Sequence, residues 1–288
     1  MDETLKNKIK DELKANIRKF FKDKDKTSYQ VLNHIFPAER RIRSLIGGLE
    51  TSLGKQFWEP IAKILAELNG FEIISEPLLI PEPFPKTLRD ELNSLINQRE
   101  RNVISTLDCI ARLRRAAAES NFENVNFVPP QSGTGVDIYL KKDNIEYLFD
   151  IKTAQPNQGL LNSFNGQLLR WYSYRFAHDS TCHVQARIII PFNPYKKDWY
   201  VYNKSKLNES HLDRNNDLWV GNEFWDFCSG FENTLEHLQD VFIDLGKENF
   251  AQEFHDIFYD PSKIADIRDR KDRLDTPESV KRKTKKTE

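Results

Sequence analysis

The sequence is poor in cysteine and has no long apolar run. Its cysteines, Cys109, Cys182 and Cys228, are scattered and show none of the paired spacings of a disulfide framework or a zinc cluster. No run of apolar residues approaches the length of a membrane-spanning helix, and the opening MDETLKNKIK lacks the apolar centre of a secretory signal. We therefore expect a cytoplasmic protein without structural disulfides and without a membrane partner.

An excess of basic charge is also missing. The 43 Lys and Arg residues are balanced by 44 Asp and Glu residues, so the formal net charge is −1. Any surface that attracts nucleic acid must therefore be local. The 288 residues do contain 39% hydrophobic and 30% charged residues, which is sufficient for a sizeable core with a well-solvated surface.

The most informative stretch of the sequence is residues 131–159. Two runs rich in β-branched and aromatic residues, 136–140 and 145–153, are separated by the turn-forming residues 141–144. This arrangement predicts a β-hairpin.

Three charged residues interrupt the apolar pattern of this hairpin. Asp137 comes early in the first strand, and Asp150 and Lys152 lie two apart in the second, on one face. Two carboxylates at one end of a sheet would suit Mg²⁺, and a neighbouring lysine can orient the attacking water and offset charge on a phosphate. These residues predict phosphodiester hydrolysis, although on their own they also fit an edge hairpin with solvated charges.

Two helices are expected upstream of the hairpin. Residues 37–46 open a helix that carries Arg40, Arg41 and Arg43, which could contact phosphates or guanine edges. Three arginines within four positions cannot all face one way, so at least one is expected to be structural or solvent-facing. Glycines at 47, 48 and 54 are expected to end this helix before a second one over residues 55–68, with Glu59 in its first turn.

The rest of the chain alternates helical and strand patterns. Residues 2–24 predict an amphipathic helix, residues 183–192 a buried strand and residues 199–202 a further strand. Residues 161–177 predict a helix directly downstream of the hairpin. The aromatic segment 217–230 is expected to pack in the core. This order predicts an α/β fold with a mixed sheet.

The charged residues of the hairpin carry a family resemblance. Asp137 followed by Asp150 and Lys152 resembles the PD-(D/E)xK motif of restriction and repair endonucleases, without its proline, because Val136 precedes Asp137. Several separate stretches are together similar to the TdeIII-like type II restriction endonucleases. They span residues 36–230 and are FPAERRIRSLIGGLETSLG, FWEPIAKILA, GVDIYL with FDIKTAQPNQG, and VGNEFWDFCSG.

The resemblance implies a PD-(D/E)xK core, with a mixed central sheet flanked by helices and an N-terminal helical region. In such a core the helix over residues 161–177 would flank the cleft at the hairpin, where amide side chains could contact bases or phosphates. It implies an enzyme that uses Mg²⁺, or Mn²⁺ as a substitute, to cut both strands of a short palindromic DNA site. That site would be GC-rich with an unspecified centre, of the GGNCC kind. The implied partners are double-stranded DNA, a second copy of the chain in a homodimer, and a DNA methyltransferase that protects the host.

The resemblance also assigns roles to residues of this chain. Asp137 and Asp150 become metal ligands together with the carbonyl of Ile151, Lys152 activates the water, and Glu59 matches an accessory acid on the preceding helix. The residues expected to contact DNA are Arg40, Arg41, Arg43, Gln155, Asn157 and Gln158.

The resemblance divides the chain into three parts. Residues 1–53 would form a helical region that contributes to DNA binding or dimerisation, and residues 54–260 the endonuclease core with appended C-terminal helices. Residues 261–288 are expected to be a charged, disordered tail. Two alternatives stay open: a structure-specific repair or recombination nuclease, and a noncatalytic DNA-binding protein that keeps the nuclease fold.

Overall fold

A mixed β-sheet lies at the centre of the molecule. The computed structural model describes residues 1–23, 30–101, 103–131, 135–153, 158–192 and 211–269. The strands are β1 (Glu72–Ile73), β2 (Ile80–Glu82), β3 (Asn126–Val128), β4 (Ile138–Lys142), β5 (Ile145–Ile151), β6 (His183–Ile190) and β7 (Leu218–Val220). Five of them form one sheet in the order β1-β4-β5-β6-β7, and β2 pairs with β3 separately. The β4–β5 pair is antiparallel, whereas β5, β6 and β7 run parallel, so the predicted mixed sheet is confirmed.

Helices cover both faces of this sheet. They are α1 (Glu3–Asp23), α2 (Pro37–Leu53), α3 (Glu59–Leu68), α4 (Lys86–Glu100), α5 (Thr106–Ala118), α6 (Gln158–His178), α7 (Asn222–Ser229), α8 (Thr234–Lys247), α9 (His255–Tyr259) and α10 (Pro261–Asp269). Shorter 3₁₀ turns span Val31–His34 and Phe250–Phe254, and a π-helical turn spans Gly54–Trp58. None of the helices in the described ranges is both long and apolar enough to span a bilayer.

Two hydrophobic cores attach the helices to the sheet. On one face, Leu148 of β5 packs in a core with α4, α5 and α6. On the other face, Phe149 and Ile151 pack in a core with α1, α3, α7 and α8. Because side chains alternate along a strand, Glu146 and Asp150 lie on the face of Leu148, towards α6.

A buried ion pair orients α6 on this face. Arg175 donates to both carboxylate oxygens of Glu146, at 2.6 and 2.7 Å, and the hydroxyl of Tyr139 donates to the same carboxylate. Burial alone would raise the pKa of Glu146, but these hydrogen bonds lower it below its usual value. This contact holds the C-terminal half of α6 against the start of β5. The N-terminal half of α6 therefore lies beside the end of β5.

The predicted hairpin is confirmed, with a tighter turn than expected. Residues 141–142 were assigned to the turn but belong to β4. The turn itself consists of Asp143 and Asn144, whose φ angles of 51° and 61° are left-handed. Such a two-residue turn matches the twist of the flanking strands.

The predicted break between α2 and α3 is wrong, because the π-helical turn joins them. Pro60 has no N–H to donate to the carbonyl of Gln56, and the side chain of Asn16 donates to that carbonyl instead, at 2.7 Å. The N–H of Glu59 reaches back to the carbonyl of Gly54, five positions earlier. The wider turn thus lets the helix continue past its glycines and its proline.

Several further predictions can be compared with the structure. The N-terminal helix, the buried strand over residues 183–192 and the buried aromatic segment are confirmed, since α1 and β6 form and both Phe224 and Trp225 are fully buried. All three cysteines are free and buried. The predicted strand over residues 199–202 lies outside the described residues.

The predicted disordered tail is wrong for its first nine residues, which form α10. This helix packs against α2, and Ile267 supplies its buried apolar contact. The charged composition of the segment indicated disorder, and a single buried isoleucine gave no clear signal of a packed helix. Residues 270–288 lie outside the described part of the chain.

Candidate active site

The end of the β4–β5 hairpin brings the three predicted charged residues together. The N–H of Asp137 donates to the carbonyl of Phe149 at 3.0 Å, and the N–H of Ile151 donates to Oδ2 of Asp137 at 2.9 Å. On the next strand, Nζ of Lys152 lies 2.6 Å from Oδ2 of Asp150. The convergence expected from the two-residue strand period is therefore confirmed.

The interior position of β5 explains the environment of these groups. Asp150 is only 4% exposed, because it lies in a central strand on the face that α6 covers. The N–H of Lys152 donates to the carbonyl of Ile189 on β6 at 2.8 Å, while its side chain remains 36% exposed. Asp150 therefore forms the floor of the site, and Lys152 reaches towards solvent.

The charge on Asp150 is unfavourable in this environment. Burial raises the pKa of Asp150 to about 7; Lys152 opposes this rise, and the neighbouring carboxylate of Asp137 adds to it. Oδ2 of Asp150 accepts no hydrogen bond of normal geometry from the described residues, although the lysine is close. A cation at this point would stabilise both carboxylates.

Glu59 lies at the edge of the same site. Burial is the main cause that raises its pKa to about 7, and the charges of Asp137 and, more weakly, Asp150 add to the rise. The π-helical turn before α3 lies close to the residues that follow β5. A Cβ on Gly54 would be 3.4 Å from Cγ2 of Thr153. The predicted accessory acid therefore lies within electrostatic reach of the acidic pair.

The donor set fits Mg²⁺. Across the described ranges, no three His, Cys, Asp or Glu side chains lie close enough to hold a metal ion by themselves. Mg²⁺ is usually held by one or two carboxylates together with waters and phosphate oxygens, so Asp137 and Asp150 are sufficient side-chain ligands. Oδ2 of Asp150, which is buried beside the ammonium of Lys152, is the kind of atom that such an ion would coordinate.

A cleft of about 480 Å³ opens beside Asp150 and Lys152. Helix α6 forms its opposite wall, as the sequence analysis expected, with Ser163, Gln167, Arg170, Trp171 and Tyr174. Arg170 and Tyr174 were not among the predicted site residues. Their signal in the sequence was a row of polar residues at helical spacing on an otherwise apolar helix.

The three arginines of α2 have different environments. Arg41 is 2% exposed, and its Nε donates to the carbonyl of Ile257 in α9 at 2.8 Å. The prediction that Arg41 contacts DNA is therefore wrong, because the side chain is enclosed between two helices. Arg43 is exposed and Arg40 is half-buried. Gln155, Asn157 and the side chain of Gln158 lie outside the described part of the chain.

Replacement of Arg41 and of Arg43 tests whether the first is structural and the second is not. We expect Arg41→Ala to lower the free energy of unfolding by about 2 kcal/mol, since a buried bond from a charged donor is lost. Arg43→Ala should change it by no more than about 0.5 kcal/mol, as for other exposed positions. Urea unfolding of both variants measures the difference. Equal destabilisation by the two changes would contradict the structural role of Arg41.

The fold and the site together define a class of protein. In restriction-endonuclease-like folds, a helix-flanked mixed sheet contains a hairpin that ends in an acidic pair and a lysine, as this sheet does. The chain belongs to the family of type II restriction endonucleases described as HinfI, whose family model matches residues 1–246. The sequence-based assignment to type II restriction endonucleases is thus confirmed, under the HinfI description and not the TdeIII-like one.

Curated relatives agree with this family. Type II restriction enzyme MjaII of Methanocaldococcus jannaschii is 24% identical over 72% of this chain and 55% of its own length. Type II restriction enzyme HgiCII of Herpetosiphon aurantiacus is 24% identical over 72% of each chain, and HgiEI of the same organism is 27% identical over 40% of this chain and 41% of its own. The match thus spans about half of MjaII. No solved structure matches the chain.

Proposed function

We propose that the chain is a type II restriction endonuclease that makes Mg²⁺-dependent double-strand cuts at a short palindromic DNA site. The observation that carries this proposal is the Lys152–Asp150 ion pair beside Asp137, at the floor of an open cleft. Membership of the HinfI family supports the same activity.

The acidic pair would hold the metal ion. Asp137, Asp150 and the carbonyl of Ile151 would bind Mg²⁺, with Mn²⁺ as a substitute. When bound, the ion supplies positive charge beside the scissile phosphate. The raised pKa of Asp150 supports this role, because a carboxylate that is costly to ionise alone is stabilised by a cation.

Lys152 and Glu59 would complete the chemistry. The ammonium of Lys152 would orient the attacking water and offset the negative charge that grows on the phosphate. The water oxygen would bond to phosphorus and lose a proton to Glu59 or to solvent, while the bond from phosphorus to the leaving sugar oxygen breaks and that oxygen takes up a proton from solvent. Glu59 would act as an accessory acid or base near neutral pH, since its pKa is raised to about 7.

The proposed site is GC-rich with an unspecified centre, of the GGNCC kind. A palindrome is cut symmetrically by a homodimer with one active centre per strand. Residues 1–53 would contribute to this dimer or to DNA binding, and the exposed apolar side chains of Val31, Ile35 and Phe36 support an interface there. A companion methyltransferase would protect host DNA at the same site.

Digestion of unmethylated plasmid DNA tests the proposal. The purified protein is incubated with Mg²⁺ or with EDTA, and the products are separated by size. We expect discrete fragments that require the metal ion, and sequencing of their ends gives the site and the stagger. Cutting restricted to branched or damaged duplexes would indicate a repair nuclease instead. Tight binding without cutting would indicate a noncatalytic protein.

A further inference from the structure

Helix α6 presents a polar face to the catalytic cleft. Ser163, Gln167, Arg170 and Tyr174 recur at helical spacing and all line this cleft. At 1.5 Å per residue, the face is roughly 16 Å long. Its length is comparable to several base-pair steps of about 3.4 Å along one DNA strand.

Arg170 supplies the positive charge of this face. Its side chain is exposed and forms no hydrogen bond or ion pair with another described residue. By contrast, Arg175, on the same helix, is held by Glu146. Among the charged residues that line the cleft, Lys152 is paired with Asp150, so Arg170 is the cation left to balance an additional anion.

Gly166 determines where this charge lies. A Cβ at position 166 would come within 3.1 Å of Nη1 of Arg170, so the guanidinium lies over the preceding turn of α6. This is the direction that long side chains take on helices. The missing side chain of Gly166 therefore lets the charge lie against the helix wall of the cleft.

A second cleft adjoins the first one at Arg170. Arg170 and Tyr174 also line a neighbouring cleft of about 720 Å³, whose far side includes Arg89 and Asn93 of α4. Arg170 thus lies where the two clefts meet, between the catalytic groups and a second set of polar side chains.

We propose that Arg170 binds a backbone phosphate next to the scissile one, and that the DNA strand follows α6 from the catalytic pair towards α4. This inference rests on the proposed function. The acidic pair repels a phosphodiester, and an unpaired guanidinium in the same cleft offsets that repulsion. Contacts from arginine and from Ser and Gln side chains to phosphates set the position of DNA on a protein without reading its sequence.

The salt dependence of DNA binding tests the phosphate contact. Affinity is measured by fluorescence anisotropy in EDTA, with a duplex of about three helical turns, with and without the cleavage site. For Arg170→Ala, we expect the slope of log affinity against log salt concentration to fall by about 1, with equal loss on both duplexes. Arg115→Ala is the matched control, because Arg115 is exposed on α5 and lines neither cleft.

Two further variants separate phosphate contact from base reading. Arg170→Lys keeps a point charge and should restore most of the slope, whereas a bidentate contact to a base would not be restored. Gly166→Ala keeps the arginine but places a methyl group against its guanidinium, so affinity should fall by a smaller factor. Its thermal stability should be unchanged or higher, since alanine favours helices.

The outcomes distinguish this inference from the function on which it rests. If the wild-type protein cuts DNA but Arg170→Ala leaves the slope unchanged, this inference is overturned and the proposed function stands. A loss confined to the duplex with the cleavage site would show a base contact and would also overturn it. If the wild type fails to cut but Arg170→Ala still lowers the slope, the DNA contact stands and the proposed function fails.

Discussion

Asp150→Asn is expected to reduce DNA cleavage by at least about 10³-fold while the protein stays folded. Asparagine keeps the shape of the buried side chain but removes the charge that would bind the metal ion and that pairs with Lys152. Single-turnover cleavage of plasmid DNA with excess protein measures the loss in the chemical step. Asp143→Asn is the matched control, because Asp143 is exposed in the turn of the same hairpin.

The same substitution should stabilise the protein when metal is absent. The pKa of Asp150 is raised by burial from 3.8 to about 7. Between these values the folded protein binds a proton that the unfolded chain has lost, so wild-type stability falls as pH rises through this window. Each pKa unit corresponds to about 1.4 kcal/mol. The excess in the free energy of unfolding of Asp150→Asn over the wild type should therefore grow from pH near 4 to pH near 7 and then stay constant.

Two measurements decide this prediction. Urea unfolding in EDTA on both sides of the window gives the stability difference, with Asp143→Asn as the control for a surface substitution in the same hairpin. Full cleavage activity of Asp150→Asn would contradict the catalytic assignment. A variant that is inactive and less stable than the wild type at neutral pH would contradict the unfavourable burial of the Asp150 charge.

Lys152→Met is expected to have the second largest effect on cleavage, a loss of about 10²- to 10⁴-fold. Methionine has a similar unbranched stem but lacks the ammonium that lies 2.6 Å from Asp150. The attacking water would lose its orienting group, and the phosphate would lose a positive neighbour. Single-turnover cleavage measures the effect, with Lys8→Met as the control, because Lys8 is exposed on α1.

Its effect on stability should be opposite to that of Asp150→Asn. Without the lysine, ionised Asp150 is buried without a cation, so its pKa rises further and the metal-free protein loses stability. The loss should appear as pH rises through about 7, where Asp150 ionises in the wild type. If both variants stabilise the metal-free protein, Lys152 does not offset the charge of Asp150.

Elements with strong local signals could be predicted from the sequence. Strand β6 is a continuous apolar run, and the hairpin turn contains Asp143 and Asn144, residue types that tolerate left-handed φ angles. Strand β2 has no clear signal in the sequence, because the segment 76–85 that contains it has four prolines, which favour a loop. Its Pro81 is tolerated in a short strand that pairs with β3 alone.

The hairpin of the candidate site shows how much of its geometry follows from local rules. Asp150 and Lys152 share a face because they are two residues apart in a strand, and Asp137 joins them because the hairpin turn sets the register of β4 and β5. The sequence by itself therefore determined which charged groups meet. The chemistry of the candidate site follows from those identities and from short-range geometry.

Only the tertiary structure decided which basic side chains are exposed to solvent. Arg41 is enclosed because it donates a hydrogen bond to the carbonyl of Ile257, which lies 216 positions away in the sequence. The periodicity of α2 does not predict that contact. Arg170 remains exposed because the buried carboxylate of Glu146 pairs with Arg175 of the same helix, while Gly166 leaves room for the guanidinium of Arg170. Exposure depends on which distant elements pack against a helix, and this packing is set by long-range contacts that a local pattern does not encode.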